Sequence, residues 1–148
     1  MSVADDFELL LPRVTKASRY LGTETNAVQK NRADVDLLFC LAFPDAYEVG
    51  MSHLGLHILY HILNNNPAIA CERAFAPWPD LEAEMQRRDI PLLTLESRTP
   101  LRQCDILGFS LEYELSYATV LRMLGLARIP LRARDRDGTM PLLIAGGP

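Results

Sequence analysis

The sequence predicts an α/β fold, a three-layer doubly wound parallel sheet, and two observations carry that expectation. Residues 37–42, 106–111 and 141–145 are short, almost continuously apolar runs, as strands covered on both faces should be. Between them lie stretches of helical periodicity joined by short connections, the pattern of repeated βα units. A chain of 148 residues with 49% apolar side chains supports one hydrophobic core.

Residues 1–33 read as an N-terminal arm with a short helix, because Leu9, Leu10 and Leu11 are stopped by Pro12 and irregular sequence comes after. Residues 34–148 read as the domain proper. The first strand occupies 36–43 and empties into a loop at 44–52. A helix is expected over 54–64, where Leu54, Ile58, Leu59, Ile62 and Leu63 form one apolar stripe to be turned inward. Residues 69–76 follow as a second strand. Pro79, the early acids Asp80, Glu82 and Glu84, and the late Arg87 and Arg88 mark a helix over 80–88. A short strand is expected at 92–95, a clear one at 106–111, and a helix from 114 to 127 closed by Pro130. The last apolar run breaks at Gly146, Gly147 and Pro148. A strand emptying into a glycine turn is normally followed by a helix, so the expectation is a domain truncated before its last strand and helix.

A formal charge of −4 gives no global electrostatic case for nucleic acid. Arg128, Arg132, Arg134 and Arg136 read as a solvated loop. Cys40, Cys71 and Cys104 are odd in number, far apart and set in or beside apolar segments, which suggests buried, reduced thiols in a cytoplasmic protein. No signal core or ~20-residue apolar span is present. Neither GxGxxG nor GxxxxGK[ST] occurs, disfavouring a dinucleotide or P-loop site.

Three loops should leave the carboxyl ends of the strongest strands and meet at one rim, where ligands of such sheets bind. Their residues are Phe43, Pro44, Asp45, Tyr47, Glu48, Gly50, Met51, Ser52 and His53; then Ser110, Leu111, Glu112, Tyr113 and Glu114; then Gly146, Gly147 and Pro148. His53, His57 and His61 share one helical stripe, yet no carboxylate is fixed beside them by spacing, so structural histidines are the expectation. Asp45 and Glu48 suit loop capping. Glu112 and Glu114 lack a paired nucleophile, so no catalytic residue is assigned.

Further segments carry a resemblance. Arg19-Tyr20-Leu21-Gly22 with Glu24, residues 43–55 (FPDAYEVGMSHLG), 72–80 (ERAFAPWPD), 95–101 (LESRTPL), 108–117 (GFSLEYELSY) and the closing IAGGP are similar to radical S-adenosylmethionine proteins, often labelled iron-sulfur oxidoreductases. These begin with a cobalamin-binding-like domain. The resemblance implies a Rossmann-like, cobalamin-binding-domain-like fold, with cobalamin as a candidate cofactor held by the three loops. It also implies a downstream radical domain as partner, carrying a [4Fe-4S] cluster and S-adenosylmethionine on a CxxxCxxC motif. The three cysteines here do not form that motif. In the axial-ligand motif DxHxxG, His53 fits, but Met51 stands where the aspartate would be and Leu56 where the glycine would be. The resemblance therefore leaves two readings: a cofactor-binding module, not catalytic alone, or a degenerate module of the same fold that docks substrate or packs against the radical domain.

Overall fold

The computed structural model describes residues 2–147. Four strands, β1 (Leu37–Phe43), β2 (Ile69–Phe75), β3 (Ile106–Ser110) and β4 (Leu142–Gly146), form one sheet in the order β2-β1-β3-β4, with every pairing parallel. The central register sets Leu37 opposite Ile69 on one side of β1 and Phe39 opposite Ile106 on the other. Five helices accompany the sheet: α1 (Val3–Glu8), α2 (Tyr47–Met51), α3 (Leu54–Asn65), α4 (Pro79–Arg87) and α5 (Ser116–Leu126). The chain leaves β1 toward β2 through α2 and α3, then returns past β1 to β3 and on to β4 through α4 and α5. Right-handed crossovers in opposite directions place α3 on one face and α4 with α5 on the other.

The alternation of side chains along each strand divides the interior accordingly. Leu38, Cys40, Ala42, Leu107 and Phe109 join Leu81, Met85, Met123 and Leu124 in the larger core, which also takes in Phe7, Leu10, Leu11 and Tyr20 of the N-terminal arm. Leu41, Phe43, Cys71 and Phe75 face α3 and meet Leu56 and Tyr60. The expected α/β sheet is therefore present. The helix over 54–64 and the strand over 69–76 lie within about a residue of their expected bounds.

Two expectations are corrected. Residues 92–95 make no sheet strand; Leu93 has only an isolated antiparallel bridge to Pro100. The segment is instead an irregular wall whose carboxylate, Glu96, reaches across to β2. The inward stripe of α3 is also different. The helix buries Leu56 and Tyr60, while Leu54 is 71% and Ile62 58% exposed, with Ile58 and Leu59 about half exposed. Outside the polar side formed by His57, His61, Asn64 and Asn65, apolar side chains cover more of this helix than the sheet buries, so periodicity alone does not choose the inward face. Tyr60 decides it, because its ring lies under the Arg73 guanidinium at 4.7 Å and its hydroxyl accepts the Val28 amide at 2.8 Å.

Candidate functional site

The strand order reverses direction between β1 and β3, so the crevice above their carboxyl ends is the topological switch point of this sheet. Loops from both sides reach it. Asp45, in the turn after β1, accepts the Tyr113 hydroxyl at 2.9 Å, and His53 Nε2 lies 3.1 Å from Glu112 Oε2. The second Glu112 oxygen accepts from Ser110 at 2.9 Å. From the third loop, the Gly146 carbonyl accepts the Leu111 amide at 2.7 Å, and Gly147 packs so tightly on the Leu111 carbonyl that a Cβ would collide with it. The three predicted segments thus meet at one rim. Pro148 lies outside the described residues.

Not every predicted rim residue points into the crevice. Phe43 and Pro44 are buried, with the Phe43 ring 5.3 Å from the His53 imidazole. Gly50 is required where it stands, because a Cβ there would enter the Phe75 ring. Tyr47 turns toward the arm and donates to Glu24; burial first, then this bond, pushes its phenol up to about 12. Met51 offers its sulfur to Arg73 at 3.2 Å, and Ser52 donates to the Glu48 carbonyl. Glu114 is exposed.

His53 is a capping residue. Its Nδ1 accepts the Leu56 amide at 3.2 Å at the start of α3, which requires that nitrogen to be bare and leaves the proton on Nε2, facing Glu112. Both ring nitrogens are engaged. The other two histidines of the stripe serve local structure: His57 Nε2 meets the Met51 carbonyl at 2.7 Å and His61 meets Asn65.

The N-terminal arm braces the same rim. Lys16 and Arg19 both donate to Glu48, at 2.7 and 2.8 Å, and Arg19 also stacks on Trp78 at 4.5 Å. The hydrogen bonds from Lys16 and then Arg19 hold the Glu48 carboxyl down to about 2. A depressed folded value contributes stability above the ordinary 4.5 and loses it as pH falls toward about 2. Acidification through that window is expected to release the arm from α2. Carboxyl chemical shifts followed by NMR should place the Glu48 midpoint well below that of an exposed glutamate; a midpoint near 4.5 would mean the bridge does not persist in solution.

Beneath the rim lies a charged cluster that sequence reading did not select as a site. Arg73 on β2 has a side chain only 3% exposed, and its Nε donates to Glu96 at 2.6 Å. Its backbone amide donates to the other Glu96 oxygen at 2.7 Å, and a terminal nitrogen reaches Glu24 at 2.9 Å. Burial pushes the Glu96 carboxyl up, opposed by Arg73, while Glu24 is held down by Tyr47 and Arg73 against its own desolvation. A signal was available: Glu72 and Arg73 are adjacent charges inside an otherwise apolar strand. Their role is to lock arm, sheet and loop together.

Between the loops is a cleft of about 330 Å³ lined by Asp45, Trp78, Tyr113, Leu115, Thr119 and Arg122 among others. Its volume is at the low end for a drug-sized ligand. Among the described residues, no three His, Cys, Asp or Glu side chains group so as to hold a metal ion. Cys40 and Cys104 sit in the larger core and Cys71 on the opposite face of the sheet, and burial pushes the Cys40 and Cys71 thiols up, away from the thiolate form a metal requires. No helix among the described residues is long and apolar enough to cross a membrane.

No curated protein and no solved structure matches the chain. A family description does: radical SAM proteins, N-terminal, over residues 55–148. That match covers well over half of the sequence and includes α3 after its first residue, every strand after β1 and the Ser110–Glu114 side of the crevice. The chain belongs to the N-terminal region family of radical SAM proteins.

Proposed function

We propose that this domain is a docking module of a radical SAM enzyme, presenting its strand-end rim to the downstream domain that carries the chemistry. Family membership implies a [4Fe-4S] cluster and S-adenosylmethionine on the parent protein. The observation that carries the reading is the character of the rim. Trp78 is 46%, Tyr113 48% and Leu115 80% exposed around the shallow cleft, while the neighbouring polar groups are already engaged: Asp45 accepts from the Tyr113 hydroxyl, His53 faces Glu112 and Glu48 holds the arm. Exposed aromatic and apolar side chains among self-satisfied polar groups suit burial against another surface more than recognition of a polar cofactor.

A second reading, cobalamin held at the same rim, is favoured by the meeting of all three loops at the switch point. His53 does not fit the role of lower axial ligand. Cobalt at Nε2 would displace Glu112, cobalt at Nδ1 would remove the α3 cap, and Met51 supplies no carboxylate to orient the ring. If cobalamin sits here, the loops alone hold it.

Hydrogen exchange of the parent protein tests the docking reading. Amides of residues 45–47 and 113–117 should be protected, and Leu115→Asp should accelerate their exchange while leaving the central strands unchanged. Unprotected rim amides in the parent would overturn docking. Co-elution of cobalamin with the parent on gel filtration, together with a shifted visible spectrum, would establish the second reading instead.

A further inference from the structure

The two faces of the sheet are covered unequally. On one, α4 and α5 lie over the strands; on the other, α3 packs on β1 and β2 and nothing among the described residues covers β3 and β4. There the sheet exposes Leu142 at 60% and Ile144 at 45%, beside the outward-turned Leu59 and Ile62 of α3. Between helix and strands runs a groove of about 350 Å³, with Phe39, Leu41, Gly108 and Ile144 as floor and Leu59 and Ile62 in its one wall. Its lining is almost wholly apolar, and although it adjoins the rim at Ser110 and Gly146 it shares no residue with the Trp78, Tyr113 and Leu115 cleft. The half-width cover has the shape of a layer built for two helices side by side.

We propose that this groove seats an amphipathic helix from the parent chain after residue 148, lying beside α3 and completing that layer. Three observations lead there. The family is one of N-terminal regions, so the parent continues beyond it. β4 carries the free edge of the sheet and ends at Gly146, which itself lines the groove. Handedness then fixes the order of the next elements. A right-handed crossover from β4 to a strand beyond it puts its helix on the α4 and α5 face, so the groove receives the helix after that strand. The occupant therefore belongs to roughly the first 50 residues past 148, the length of a helix, a strand and a second helix with their connections. Its apolar side chains should recur at i, i+3, i+4 and i+7 to meet the floor and the wall.

Photocrosslinking in the intact parent tests this. Ile62→p-benzoylphenylalanine is placed on an exposed side chain, so folding should tolerate it. Irradiation and peptide mapping are expected to give crosslinks to one helical segment within that stretch. The yield should be unchanged in the Leu115→Asp background, which separates the groove from the rim. A crosslinked dimer would mean that a second copy covers the groove. Crosslinks only to more distant sequence would mean that the radical domain covers it. Crosslinks only within residues 1–148, or none, would mean it is open. Each of these three results overturns the proposal.

Discussion

Replacing Arg73 with methionine is expected to cost about 3–5 kcal/mol, the largest loss from any single change of charge here. The guanidinium is almost wholly enclosed, donates to Glu96 and Glu24, contacts the Met51 sulfur and lies over Tyr60. Methionine keeps much of the stem's packing but leaves the buried Glu96 carboxylate without its counter-charge. Urea unfolding of the parent domain should show the midpoint falling with little change in slope. Burial already raises Glu96, and loss of Arg73 raises it further, so the variant's deficit should shrink as the pH is lowered and Glu96 takes up a proton. The double variant Arg73→Met with Glu96→Gln should recover much of the loss, because it removes the unpaired buried charge while keeping an acceptor for the Arg73 backbone amide. A single-variant loss below about 1 kcal/mol would show that the cluster is hydrated rather than buried.

Leu56→Ala and Ile62→Ala form the second test, since they set the two candidate faces of α3 against each other. Leu56 is 1% exposed between Tyr60, Phe43 and the strands, and its truncation should cost about 2–5 kcal/mol through lost transfer energy and the cavity left behind. Ile62 is 58% exposed, and in the 148-residue chain its truncation should lie within about 0.5 kcal/mol. Thermal or urea unfolding of both variants checks the order. Equal losses would mean that the helix is rotated from the face described. In the parent, Ile62→Ala should become more costly if a helix covers the groove, and that difference is itself informative.

The fate of α3 shows where sequence reading stops. The helix and its length were legible from Leu54 to Leu63 because apolar spacing reports periodicity. Its inward face was not, because Leu54, Ile58, Leu59 and Ile62 are as apolar as Leu56 and Leu63. The distinction came from Tyr60, whose value lies in an arginine on β2 and an amide in the arm. Residues 92–95 failed for a related reason: four residues of strand-like composition reach β2 through the single bond from the Leu95 amide to the Arg73 carbonyl, form no ladder there and become a wall instead. The rim was more legible, since its loops follow from strand order, although their partners did not.

Strands, helices and the loops at the strand ends can be read from the chain alone, because apolar periodicity, proline and glycine act over a few neighbouring residues. Folding in three dimensions was needed to make His53 a cap facing Glu112, to draw Glu24 and Glu96 around Arg73, and to leave one face of the sheet half covered. Those arrangements depend on groups brought together from distant parts of the chain. Their energies come from desolvation and close contact, which local sequence does not encode.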